Sequence, residues 1–160
     1  IAREATGLPR FRRFAYDMAY GEGWALYAES LGHDLGLYTD PYGAFGALSS
    51  EMWRAVRLVV DTGIHSKGWT REQALDYFRA NTALGDADIA VEVDRYIAMP
   101  GQALPYKVGQ LEILRLRQRA QQKLGLRFDI RAFHSQVLES GSLPLSVLEA
   151  KIDRWIEENK

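Results

Sequence analysis

The run Tyr20-Gly21-Glu22-Gly23-Trp24-Ala25-Leu26-Tyr27-Ala28-Glu29 constrains the fold more than any other stretch of the chain. Around it Phe14, Met18, Gly21, Ala25, Ala28, Gly32 and Leu35 recur at alternating steps of four and three, a helical period. Small side chains on that seam predict the close approach of a second helix. The neighbouring face carries Glu22, Leu26, Glu29 and His33, so two carboxylates and an imidazole line up beside the seam. Charged groups so near a buried seam need an ion pair, hydrogen bonds or a metal. The glycines flanking Glu22 each cost a helix interior up to roughly 1 kcal/mol relative to alanine. Two in three residues predict room made for a close backbone or a bound group. Spacing leaves open whether Glu22 pairs with an arginine or ligates a metal.

The remaining apolar spacing is helical too, and no segment alternates as a strand would. The chain therefore predicts an all-α fold of about seven helices. The first runs from Phe11 to Leu35 and ends at Gly36. Asp40-Pro41-Tyr42-Gly43 reads as a turn before a helix from Ala44 to Ser66, closed by Gly68. Thr70 and Gln73 form a capping box that opens a helix to Asn81. Gly85-Asp86 introduces a helix from Ala87 to Ala98, and Pro100-Gly101-Gln102 interrupts the path to another from Ala103 to Leu124. Asp129 caps a helix from Ile130 to Glu139, and Ser142 or Leu143 opens the last.

Length permits one domain with a core of its own. A net charge of −1 gives no reason to expect a nucleic acid or a membrane surface as partner. No apolar run is long enough to span a bilayer. The absence of cysteine excludes disulfides, thiolate zinc sites and a cysteine nucleophile. None of His33, His65 and His134 is followed by Glu, so the zinc motif HExxH is missing. Because the chain opens at Ile1 in mid-pattern, it reads as a piece of something longer.

Two segments gather candidate site residues. Arg57, Asp61 and His65 stack at four-residue steps, either as a solvated face or as the lining of a cleft in which Asp61 orients His65. Arg95-Tyr96, Gln102 and Tyr106-Lys107 surround the Pro100-Gly101 break, which is either a tight helix-helix turn or a place where a broken helix aims groups at one spot.

The run Phe11-Arg12-Arg13-Phe14 through Glu29 resembles the bacterial "domain of unknown function 885" family. So do the segments Glu51 to His65, Gly68 to Glu72, Pro100-Gly101-Gln102-Ala103 with Tyr106-Lys107, and Phe128-Asp129-Ile130-Arg131 with Phe133-His134. The resemblance covers nearly the whole chain and corresponds to the C-terminal portion of that family's long helical domain. Family members resemble helical zinc peptidases of the glutamate-ligand kind, whose HExxH-like segment lies upstream of the residues matching Tyr20 to Glu29.

The resemblance thus implies that residues 1–160 are a single all-α C-terminal fragment of a zinc-dependent, peptidase-like hydrolase, inactive alone because the HExxH segment is missing. Glu22 would be the third zinc ligand in the intact protein, with no zinc held by the fragment. Tyr106 or His65 would stabilise the oxyanion, and Arg95 or Lys107 would bind a substrate carboxylate, with Arg57 and Gln102 beside them. Glu29 and Asp61 would support the site from behind. The partners implied are a peptide substrate, the missing N-terminal part and, through exposed apolar surface, further copies of the fragment. An exported or periplasmic bacterial protein is implied, with the cytoplasm left open. The alternative is a helical binding or scaffold module without metal chemistry.

Overall fold

The computed structural model describes Glu4 and residues 7–160. The described residues form eight α-helices and no strand. They are α1 (Arg10–Phe14), α2 (Met18–Asp34), α3 (Pro41–Lys67), α4 (Arg71–Asn81), α5 (Asp86–Ala98), α6 (Pro105–Leu124), α7 (Ile130–Leu138) and α8 (Leu145–Glu158). A 3-10 turn, Gly125–Arg127, follows α6. The all-α expectation holds, with one helix more than expected. None of these helices is long and apolar enough to cross a membrane.

The extra helix comes from a break at 15–17, where one continuous helix over 11–35 was expected. The Asp17 carboxylate accepts from the Tyr20 amide at 3.0 Å, as an N-cap does, and the Asp17 amide donates to the Ser142 hydroxyl at 2.7 Å. Asp40 is a cap rather than a turn residue: its carboxylate takes the Tyr42 and Gly43 amides, both at 2.9 Å, and Pro41 begins α3. Thr70 and Gln73 close the expected capping box, and Asp129 caps α7. Gly36, Gly68, Gly125 and Gly141 adopt left-handed backbone after helix ends.

The chain divides into two compact units. Unit 1 comprises Ile1–Tyr27 and Val108–Lys160, and unit 2 comprises Ala28–Lys107. In unit 1 the buried rows are Ile113, Leu116, Ala120 and Leu124 on α6 and Leu148, Ile152 and Ile156 on α8, with Phe133 and Val137 from α7. In unit 2, α3, α4 and α5 enclose Val56, Val60, Leu75, Phe78, Ile89, Val93 and Tyr96.

Helix α2 does not bury the expected seam. Met18 and Leu35 are exposed, as is Ala25, while Tyr20, Gly23, Leu26 and Tyr27 are buried. The close approach is real but lies one face round. A β-carbon on Gly23 would collide with the backbone of Gly109, and one on Gly109 would collide with the Ala19 carbonyl and Gly23. The other glycine beside Glu22 serves a ring: a β-carbon on Gly21 would strike the side chain of Tyr16. Both glycines are thus accounted for by packing within unit 1.

Candidate functional site

In unit 2 one face of α3 turns inward and carries polar groups with it. Arg57 and Asp61 are 5% and 2% exposed, which overturns the solvated-face reading of that row. The Arg57 Nε donates to the Tyr96 hydroxyl at 2.8 Å and Nη2 pairs with Glu92 Oε2 at 3.0 Å. Its guanidinium also lies over the rings of Trp53 and Tyr106, at 4.9 and 4.8 Å from their centres. The Tyr96 hydroxyl in turn donates to Glu92 Oε2 at 2.5 Å and accepts from the Trp53 indole at 3.3 Å. Burial, and then the bond to Glu92, push the Tyr96 phenol up to about 12. A buried cation thus has an ion pair and a hydrogen bond from α5 and ring contacts from α3 and α6, as such a charge requires.

Asp61 holds a different group from the one expected. Its two oxygens receive the Gly101 amide at 3.0 and 3.2 Å. Gly101 has φ of +79°, a conformation that excludes most side chains, so Asp61 fastens the sharp turn after α5. His65 is exposed and its Nε2 lies 2.9 Å from the Tyr96 carbonyl. Because a carbonyl only accepts, that nitrogen carries a proton. Lys107 is bound to Glu51 at 2.7 Å. The hydroxyl of Tyr106 makes no hydrogen bond among the described residues, although Arg57 fixes its ring.

Arg95 approaches Glu92 Oε2 at only 3.6 Å, and its guanidinium lies 5.5 Å from the Tyr96 ring centre. Its Nε is buried without a partner, and so is Oε1 of Gln102. Glu29, expected to support the site from behind, is exposed and accepts a 3.4 Å bond from Ser50. Unit 2 therefore gathers Arg57, Asp61, His65, Arg95, Gln102, Tyr106 and Lys107 around the α3 and α5 faces and the turn at Gly101. The sequence reading passed over Glu92 as the acceptor that ties this cluster together. Its four-residue spacing to Tyr96 was the available signal.

Glu22 belongs to unit 1. It is half-buried, and among the described residues it has neither a hydrogen bond nor an ion pair. Among the described residues no arginine pairs with it, one of the two possibilities the spacing left open. Among the described residues no group of three His, Cys, Asp or Glu side chains could hold a metal. A partnerless carboxylate fits the chemistry of one oxygen ligand to zinc, but it is not a site.

Unit 1 also holds a polar cluster that the sequence reading missed. The hydroxyl of fully buried Tyr27 lies 2.8 Å from His134 Nε2 and accepts from Arg117 at 3.3 Å. Trp24 packs edge-on to the His134 ring, 5.5 Å between centres. Burial, and secondarily the Arg117 charge, lower the His134 pKa.

Comparison with known proteins gives the following. The model of a family described as "Bacterial protein of unknown function (DUF885)" matches residues 1–152. A search of curated proteins found no match. Among solved structures, that of "the putative lipoprotein from Colwellia psychrerythraea" is similar at 47% sequence identity with a TM-score of 0.95. The alignment covers 98% of this chain and 27% of that one, so the chain spans about a quarter of that protein's length.

Proposed function

The chain belongs to the DUF885 family of bacterial proteins, and from that premise we propose that it forms part of a zinc-dependent, peptidase-like hydrolase in which Glu22 is one of the metal ligands. The observation that carries this reading is the half-buried Glu22 carboxylate, left without any partner among the described residues beside the Gly23–Gly109 crossing. Its oxygens are not among the buried unpaired atoms, so the carboxylate is open to a ligand from outside the described residues. The remaining donors would be histidines outside these 160 residues, in an HExxH segment of the longer protein. Zinc held there would supply Lewis-acid activation of water.

The residues of unit 2 divide by whether their polar atoms are already engaged. Tyr106 is better suited than His65 to donate to an oxyanion: its hydroxyl is uncommitted, whereas the protonated nitrogen of His65 is spent on the Tyr96 carbonyl. Asp61 acts indirectly by holding the Gly101 turn. By analogy with the lipoprotein description of its relative, we place the protein outside the cytoplasm. The second reading, a helical scaffold without metal chemistry, draws on one observation: Arg57 and Lys107 are consumed by Glu92 and Glu51.

The test is metal analysis of the full-length protein by mass spectrometry together with a peptide-hydrolysis assay. Wild type should carry about one zinc per chain, and Glu22→Gln should lose both zinc and hydrolysis with the fold intact by circular dichroism. Wild-type zinc content and activity in that variant would remove Glu22 from the metal site. A full-length protein free of zinc and inactive on peptides would leave the scaffold reading.

A further inference from the structure

In unit 1, helix α8 presents two faces of different character. Leu148, Ile152 and Ile156 are buried in the core, while Val147, Ala150, Lys151 and Arg154 recur at steps of three, one and three along another side. That second side lines a groove of about 470 Å³ together with Leu8, Pro9 and Arg12 at the start of α1 and Ser140 and Leu143 after α7. Of these nine lining residues five are apolar, with Val147 49% exposed, three are cations, and none is a carboxylate. The volume lies within the roughly 300–1,000 Å³ of small-molecule sites, whereas one side of a stable protein interface takes roughly 20–30 residues. The groove therefore suits a small ligand rather than a folded partner.

Not all of the charge in the groove is spent. Lys151 gives its three N–H groups to the Gln136 carbonyl, the Ser140 hydroxyl and Glu139, at 2.5, 2.8 and 3.0 Å. Arg12 reaches the Ser140 carbonyl at 2.8 Å through Nη2 and pairs with no carboxylate among the described residues. Arg154 is exposed and makes neither a hydrogen bond nor an ion pair among them. The Ser140 hydroxyl accepts from Lys151 and keeps its hydrogen to donate. One exposed guanidinium is ordinary on a protein surface. Two beside one apolar groove, with a hydroxyl donor and no lining carboxylate, are complementary to an anion that carries a hydrocarbon chain. We propose that this groove binds a carboxylate on an aliphatic chain, a fatty-acid-like amphiphile. Its head meets Arg12, Arg154 and the Ser140 hydroxyl, and its tail lies against Leu8, Leu143, Val147 and Ala150. None of these residues enters the zinc reading, so the inference goes beyond it and does not depend on it.

The test is isothermal titration of the full-length protein with octanoate, octanamide, acetate and inorganic phosphate. Octanoate should bind about 10-fold or more tightly than octanamide, as charge-assisted hydrogen bonds require, and far more tightly than acetate or phosphate, which lack the chain. Arg154→Gln, a change at an exposed and unpaired side chain, should remove most of the preference for octanoate over octanamide, and Arg154→Lys should keep part of it. Val147→Glu, at a position already half in solvent, should abolish octanoate binding with little change in melting temperature. Arg131→Gln, which removes an exposed arginine outside the groove, should change nothing. Equal binding of octanoate and octanamide, or an octanoate preference that survives Arg154→Gln and Arg12→Gln, would overturn the proposal. Acetate or phosphate binding as tightly as octanoate would show an anion patch without use of the apolar wall, and would overturn it too. So would failure of octanoate to bind; if Arg154→Gln then lowers the melting temperature, an acidic segment of the longer chain fills the groove instead.

Discussion

The two glycines beside Glu22 look equivalent in the sequence and are not equivalent in the structure. Gly23 and Gly109 meet backbone to backbone, so a methyl on either has no side chain to push aside. Gly21 meets the ring of Tyr16, a side chain rather than backbone and 64% exposed. Overpacking a fixed contact costs typically 1–3 kcal/mol and occasionally more. Gly23→Ala and Gly109→Ala should therefore each destabilise by about 3 kcal/mol or more. Gly21→Ala should cost less than about 1 kcal/mol, because alanine favours the helix. Urea denaturation of the three variants checks the ranking, and a Gly21→Ala as damaging as Gly23→Ala would refute this division. At this scale the sequence made the need for room visible, since two glycines in a helix demand a reason. It could not say what filled the room, because the partner, Gly109, lies far along the chain.

At the scale of elements, caps were legible and faces were not. Thr70 with Gln73, Asp129 and the glycines after helix ends are local devices, complete within a few residues. The break before Met18 was signalled only by Asp17, a lone cap without Gly or Pro to accompany it. On α2 several faces are apolar or small enough to be buried, so periodicity alone chose the wrong one. For α3 the row Arg57-Asp61 looked polar because its partners, Glu92, Tyr96 and Gly101, are supplied by distant segments.

Buried titratable groups on these elements carry a pH signature. Tyr20, whose hydroxyl donates to the Val137 carbonyl at 2.7 Å, is pushed up to about 12 mainly by burial, as is Tyr96. Their raised pKa values favour the protonated, folded form, so this stability is full below pH about 10 and is lost as pH rises toward about 12. His134 is shifted the other way: its lowered pKa gives stability present above its ordinary value near 6.5 and lost as pH falls. Thermal midpoints should thus plateau between pH about 7 and 10 and decline on both sides. His134→Gln should flatten the acid limb and Tyr96→Phe the alkaline limb, while lowering the plateau because Arg57 loses an acceptor. Unchanged limbs in both variants would count against these assignments.

For the whole molecule, the remaining question is what the exposed apolar surface is for. Phe45, Leu48 and Met52 recur at steps of three and four along α3 and are 61, 60 and 50% exposed. Together with Ala80, Asn81, Thr82 and Ala83 they line a cavity within unit 2. Scattered exposed side chains are ordinary, but a row at helical spacing beside a cavity is a contiguous patch of the kind that marks an interface. Residues 1–160 on their own should therefore self-associate, as the sequence reading anticipated. Multi-angle light scattering over a range from micromolar to millimolar should show mass rising with concentration. Leu48→Glu and Met52→Glu should hold the chain monomeric with little change in melting temperature, since both side chains already face solvent. A monodisperse monomer at millimolar concentration would defeat the prediction. Association that survives both charges would move the interface to other exposed apolar side chains, such as Phe11, Phe14 and Met18 in unit 1.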